Sequence, residues 1–131
     1  MRRTRLVLIL ACMMLLVGCG EDNGTLPGLD LKVMAVRGSV TNAQGSPQSA
    51  TVSLRAYRGE CASGIEDGEG TASVNSTGQY AGLITSSNQE GPRCVVATAT
   101  SGQLSGEAEM GGVLFPTRIG LDTITLNIVV R

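Results

Sequence analysis

The sequence predicts an all-β domain of about seven short antiparallel strands, folded as a two-layer sandwich behind an N-terminal signal helix. From Lys32 onward, apolar residues recur at every second position, which is the period of a strand. Runs of turn-forming residues, such as positions 42–47, separate these stretches. No later stretch has the period of an amphipathic helix. Short strands with turns between them favour a sandwich.

The predicted strands follow one another at regular intervals. The first two present apolar residues on one face, namely Met34, Val36 and Val40, then Val52, Leu54 and Ala56. Further strands are predicted over residues 79–84 and 94–98, with weaker candidates over residues 71–75 and 105–110. The last strand has the clearest pattern, because apolar and mostly polar residues alternate from Thr123 to Val130.

The chain begins with a basic and then apolar leader. Arg2, Arg3 and Arg5 precede twelve uncharged residues, positions 6–17. As a helix this run would be roughly 18 Å long, which is too short for a bilayer core of ~30 Å. A basic region, a short apolar region and small residues in this order indicate a secretory signal peptide. A buried helix of a cytosolic protein is the alternative.

The leader ends in Leu16-Val17-Gly18-Cys19, which resembles the lipobox of bacterial lipoproteins. The resemblance implies a signal peptide over residues 1–18, cleavage before Cys19, and a thioether between Cys19 and diacylglycerol, with acylation of the new amine by a chain such as palmitate. Two or more acyl chains give stable anchoring where one is marginal. Because Gly20 and not Asp follows, the resemblance favours the outer membrane of a diderm bacterium. Ordinary cleavage that leaves Cys19 as a free or bridged thiol is the alternative.

A polar, turn-rich stretch over residues 19–31 is interpreted as a flexible tether. It would reach about 20 Å as a coil, so the domain over residues 32–131 would stay near the membrane. Without the leader's three arginines, seven basic residues face eleven acidic ones, a net charge of about −4. This mildly acidic balance argues against nucleic acid as a partner, and it leaves the lipid on Cys19 as the expected membrane contact.

Four cysteines separate by position. Cys12 lies in the leader and Cys19 is assigned to lipid, so Cys61 and Cys94 remain as a pair. In an oxidising compartment this pair suggests a disulfide, with two buried free thiols as the alternative. Closing a loop of about 34 residues would stabilise the fold by ~3.8 kcal/mol in the chain-entropy treatment. A small core with one Phe, two Tyr and no Trp would benefit from such a link.

Several segments resemble carboxypeptidase regulatory-like domains. They are Val36-Arg37-Gly38-Ser39-Val40-Thr41, Gly45-Ser46-Pro47, Ala50-Thr51-Val52-Ser53-Leu54, Gly78-Gln79-Tyr80 and Leu126-Asn127-Ile128-Val129. The resemblance spans residues 32–131 and implies a transthyretin-like, or prealbumin-like, sandwich of about seven strands. Gly38 would permit close packing and Gly45 a tight turn. An immunoglobulin or fibronectin type III sandwich is the alternative, although the missing Trp counts against it.

The residues that could carry chemistry are few. The chain has no histidine, which excludes Ser-His-Asp and Cys-His nucleophiles and His-based zinc sites. Glu107 and Glu109 would lie ~7 Å apart on one strand face, within the range that a glycosidase needs, or they would guard a sheet edge. The acidic, glycine-rich segment from Glu66 to Gly70 is interpreted as an exposed turn, with calcium binding left open.

These observations predict a non-catalytic, membrane-anchored envelope lipoprotein that presents its sandwich as an interaction or structural module. The alternative is a carbohydrate- or peptide-binding accessory module of the cell envelope. No cofactor and no enzymatic activity are expected, and the partner would be an envelope protein or a glycan. The apolar residues 112–116 are interpreted either as a contact loop or as a buried loop anchor.

Overall fold

A computed structural model describes residues 31–61, 63–87, 89–116 and 122–131. The predicted signal helix, the lipidation site Cys19 and all but the last residue of the predicted tether lie outside these residues. Within the described ranges, no helix has the length and apolar character that a membrane span requires.

The described part of the chain contains eight β-strands. They are β1 (Lys32–Asn42), β2 (Thr51–Arg58), β3 (Ile65–Ser73), β4 (Gln79–Ser86), β5 (Arg93–Ser101), β6 (Leu104–Val113), β7 (Thr123–Thr125) and β8 (Ile128–Val130). The all-β class is therefore confirmed. The single strand predicted at the end of the chain is divided into β7 and β8. Between them, the backbone of Leu126 and the side chain of Asn127 bond to β1 and interrupt the ladder.

The strands form one curled sheet in the order β6-β5-β2-β3-β4-β1-β7, and β8 also pairs with β1. Most neighbours are antiparallel, but β7 and β8 both run parallel to β1. The prediction of a purely antiparallel sheet is therefore wrong. The parallel pairing arises because the chain, after β6, returns beside β1 in the direction of β1.

Two layers result from a sharp bend between β3 and β4, where only two residue pairs are in register. Glycine makes the bend possible, because a Cβ at Gly68 or Gly70 would overlap a carbonyl oxygen of β4. One layer is β6-β5-β2-β3 and the other is β4-β1-β7. At the far side, Ser105 in β6 and Arg131 after β8 exchange two backbone hydrogen bonds, at 3.1 and 3.3 Å. The sheet thus curls back on itself.

The core fills the space between the layers with mostly aliphatic side chains. Its fully buried members include Val36, Val40, Val52, Leu54, Ile84, Val95 and Ile128. Tyr80 and Phe115 are the aromatic members. The period-2 pattern of the sequence predicts this inner face correctly for β1, β2 and β8.

Candidate functional site

The two cysteines predicted to pair form a disulfide. Cys61 lies in the connection after β2 and Cys94 is the second residue of β5, with Cα atoms 5.0 Å apart. Cys94 is fully buried beneath this connection. The carboxylate of Glu109 lies within 4.8 Å of both sulfur atoms. Because each sulfur is used in the bridge, neither offers a thiolate to a metal ion.

A buried cation that sequence reasoning missed lies beside the bridge. Arg93 has no exposed surface, although it is the first residue of β5. Its side chain faces inward, on the same face as Val95, Ala97 and Ala99 of the core. The signal was present in the sequence, since continuing the period-2 pattern of β5 backwards by one step places Arg93 on the apolar face.

Arg93 is satisfied by acceptors from several neighbouring segments. Its Nε donates to Asp67 Oδ2 and to Ser86 Oγ, each at 2.8 Å. Its terminal nitrogens donate to the backbone carbonyls of Ser87, Gln89 and Gly91, at 3.2, 2.7 and 2.8 Å respectively. Burying a guanidinium is costly unless its donors are used. This set of acceptors explains why the charge is tolerated at the end of the core.

Asp67 completes the pair from β3, with only 6% of its side chain exposed. Burial acts to raise the pKa of this carboxyl, but hydrogen bonds from Ser87, Ser86 and Arg93, with the Arg93 charge, hold the pKa below its ordinary value. The Arg93–Asp67 contact joins β5 to β3, and the two serines extend it to the end of β4. The network therefore ties both layers together at this end.

Phe115 covers the guanidinium from the other side. The Arg93 carbon Cζ lies 5.4 Å from the centre of the Phe115 ring, a cation–π contact. Val113 and Phe115 are buried while Leu114 between them is exposed. Of the two interpretations of residues 112–116, the structure supports the buried anchor, because two of the three apolar side chains face the core.

The opposite end of the core is closed without charge. The Tyr80 hydroxyl donates to the carbonyl oxygen of Leu126 at 2.7 Å, and Leu126 N donates to Arg37 O at 2.8 Å. Gly38 lies directly against the same Leu126 carbonyl, where a Cβ would overlap it. Burial raises the pKa of Tyr80 to about 12. Gly38 thus allows close packing, as the sequence predicted.

The outer surface of the β6-β5-β2-β3 layer is acidic, and we call it the acidic face. The pairing of the four strands places one residue from each side by side across this surface, namely Glu109, Val96, Arg55 and Glu69. Arg55 Nη1 bonds to Glu66 Oε2 at 2.6 Å, and this contact raises the pKa of Arg55. Glu107 receives a bond from the Thr98 hydroxyl at 3.3 Å. The four carboxylates of this face therefore outnumber its one arginine.

The outer surface of the β4-β1-β7 layer is different, and we call it the plain face. A shallow depression there is lined by small or apolar residues together with Arg37: Ala35, Val36, Ala81, Gly82, Leu83 and Thr123. Leu83 is half exposed. None of these lining residues is acidic, in contrast to the acidic face.

The segment from Glu66 to Gly70 is not a turn, and that prediction is wrong. It forms the first half of β3 and pairs with β2. Its two glutamates, Glu66 and Glu69, point outward and away from Asp67. The Asp67 carboxylate accepts hydrogen bonds from Arg93, Ser86 and Ser87. The glycines are explained by the bend into β4 and not by loop conformation, since neither has positive φ. The segment therefore does not gather its carboxylates as a calcium loop would.

No protein-family model matches this chain, and no curated protein matches it. Solved structures with some likeness include the chlorocatechol 1,2-dioxygenase from Pseudomonas putida, at 15% identity and a TM-score of 0.49, over 77% of this chain and 61% of the dioxygenase. The chain thus spans less than two thirds of that protein. An alternative pilotin from the type II secretion system of Vibrio cholerae is 13% identical, with a TM-score of 0.48, over 76% of this chain and 98% of the pilotin. At these scores neither likeness bears on activity, ligand or partner.

Proposed function

We propose that this chain is a non-catalytic lipoprotein of the bacterial envelope, which presents its curled sheet as an interaction or structural module. The observation that carries the proposal is the Leu16-Val17-Gly18-Cys19 motif, placed directly behind a basic and apolar leader. Lipid on Cys19 would hold the mature chain at the membrane, in the outer membrane of a diderm bacterium. The tether over residues 19–31 would keep the sheet close to that surface.

The non-catalytic part of the proposal is supported by what the polar groups of the described residues already do. Arg93 and Asp67, which are the most buried charged pair, satisfy each other and neighbouring groups. Tyr80 is engaged with a backbone carbonyl. Glu107 and Glu109 lie on an exposed sheet surface, where bulk water screens their charge. No histidine is available to act as a base at pH 7.

The proposal includes a carboxypeptidase regulatory-like, prealbumin-like domain. In support, residues of the resembling motifs have the structural roles that the motif implies. Gly38 packs against the Leu126 carbonyl, Gly45 has a φ of 80° in the turn after β1, and the Tyr80 hydroxyl bonds to the Leu126 carbonyl beside Gly38. These roles explain the motif without any ligand, which fits a module that contributes surface and not chemistry.

Lipidation is tested by substituting the acceptor cysteine and a matched control in the same leader. Cells expressing Cys19→Ser should show no incorporation of labelled palmitate into this chain and less of it in the membrane fraction. Cys12→Ser, in the predicted discarded leader, should behave as the unsubstituted chain. Equal palmitate labelling of the Cys19→Ser chain would overturn the proposal.

Binding of carbohydrate is the weaker of the two alternative roles. The chain has three aromatic residues, of which Tyr80 and Phe115 are buried and Tyr57 is half-buried. A platform of exposed rings for stacking on sugar is therefore missing. Saturable binding of the purified chain on a glycan array would reverse this ranking.

A further inference from the structure

We propose that the outer edge of β6, residues 107–112, binds an extended peptide of a partner protein that alternates basic and apolar side chains. The peptide would add a strand to the sheet beside β6. The inference rests on the proposed interaction role and names the chemistry of the partner. It does not depend on how the chain is anchored.

Within the described residues, positions 107–112 of β6 have a paired backbone on one side only. Along one edge β6 pairs with β5, and along the other edge Ser105 is the one described residue of β6 that exchanges backbone bonds, with Arg131. In an antiparallel strand, alternate residues aim their backbone groups at the same side. Glu107 and Glu109 therefore aim N–H and C=O away from β5. Among the described residues, these groups have no backbone partner on that side, and such an edge is a template for an added strand.

The side chains around this edge differ between its two surfaces. Glu107 and Glu109 are exposed on the acidic face. Met110 points to the opposite surface and is 38% exposed. Successive side chains of an added strand point to opposite surfaces. They would meet the two carboxylates on one surface and Met110 on the other, which specifies alternating basic and apolar residues.

A second copy of this chain is a poorer occupant than a basic peptide. Pairing two β6 edges would bring Glu107 and Glu109 near the same carboxylates of the other copy. Like charges directly opposite each other destabilise a strand pair, whereas opposite charges stabilise it. The same glutamates would thus exclude self-association and select a basic strand.

The test uses the full-length chain in a mild detergent and a fluorescent peptide in which Lys and Val alternate. Fluorescence anisotropy should show saturable binding that a peptide of scrambled order does not reproduce. Glu107→Gln combined with Glu109→Gln should weaken binding about tenfold, since two exposed ion pairs are lost. Glu69→Gln, on the acidic face but away from the edge, is the matched control and should bind as the unsubstituted chain.

A second variant separates backbone pairing from charge. Glu109→Pro removes an N–H that points away from β5, so β5–β6 pairing should survive and circular dichroism should be unchanged. Peptide binding by this variant should fall further than in the double glutamine variant.

Failure of the alternating peptide to bind, equal binding of the scrambled peptide, or full affinity in the double glutamine variant would each overturn the proposal. Because the assay is done in detergent, the Cys19→Ser chain should bind the peptide normally. Loss of lipidation and loss of peptide binding are therefore separate outcomes.

Discussion

At one end of the core, the buried guanidinium of Arg93 bonds to the carboxylate of Asp67, whereas at the other end Tyr80 and Gly38 close around the uncharged backbone at Leu126. The charged end gathers acceptors from β3, β4 and the segment between β4 and β5. The neutral end is closed by the Tyr80 hydroxyl and by the close approach that glycine permits at position 38. The charged end joins the two halves of the curled sheet, whereas the neutral end fastens β4 and β1 to the segment between β7 and β8.

The comparison shows two ways of closing a small core. At the charged end, removing either Arg93 or Asp67 would leave the other as an unpaired buried charge. Because such a charge is strongly destabilising, each of the two residues depends on the other. Neutral closure depends on space, because the strand and the Leu126 carbonyl approach too closely for any side chain at Gly38. The following predictions separate these two dependences.

Removing the cation should have the largest effect. Arg93→Met keeps much of the side-chain length but leaves Asp67 buried without its main partner, so we expect a loss of about 3–5 kcal/mol in the free energy of unfolding. Arg58 also approaches Asp67, at 3.7 Å, but 41% of its side chain is exposed. The matched variant Arg58→Met should cost less than about 1 kcal/mol. Urea unfolding measures both, and equal losses would show that the buried bond is not special.

Filling the space at Gly38 should have the next largest effect. In Gly38→Ala the new Cβ would overlap the Leu126 carbonyl oxygen, so the segment between β7 and β8 must shift. We expect a loss of about 1–3 kcal/mol, in the range seen for overpacked sites. Gly111→Ala is the control, because no atom lies within 4 Å of its added Cβ. If both variants have the same midpoint of thermal unfolding, close packing does not define the neutral end.

The smallest effect should come from the Tyr80 hydroxyl, and it should depend on pH. Tyr80→Phe removes one buried hydrogen bond, which is worth about 1 kcal/mol at neutral pH. Because folding raises the pKa of Tyr80 to about 12, the folded protein holds this proton more tightly than the unfolded chain, whose tyrosine pKa is about 10. The stability that this difference provides is present below about pH 10 and is lost as pH rises through about pH 12.

By pH 11, the unsubstituted chain should therefore have lost about 1.4 kcal/mol from this group. The Tyr80→Phe variant should lack that loss, so the advantage of about 1 kcal/mol that the unsubstituted chain has at neutral pH should be gone by about pH 11. Parallel pH curves from urea unfolding would contradict the assignment.

Local patterns in the sequence predicted most of the fold. Alternating apolar residues located β1, β2 and the inner face of β8, and turn residues located the connection after β1. The first half of β3 was missed because Glu66 to Gly70 has no apolar alternation. Its strand is held by pairing with β2, and its glycines serve a bend that depends on where β4 passes. These positions require glycine because a strand that is distant in the sequence passes close to them, and neighbouring residues in the sequence do not reveal this.

The candidate site divides in the same way. The cysteine count predicted the Cys61–Cys94 bridge, since two thiols remained after the leader and Cys19 were assigned. The role of Arg93 was not predicted, although its place in the alternation of β5 could have revealed it. Its acceptors are mostly backbone carbonyls, which every sequence contains, so no residue type marks them.

By itself, the sequence determined the all-β class, the alternating core and the motif at Cys19, because strand period and leader composition are properties of neighbouring residues. Tertiary structure alone decided the parallel return of β7 and β8, the bend at Gly68 and Gly70, and the open edge of β6. These features depend on which strands meet in space. Two ladders with the same side-chain period can run in either direction, so the pattern of side chains does not fix their pairing.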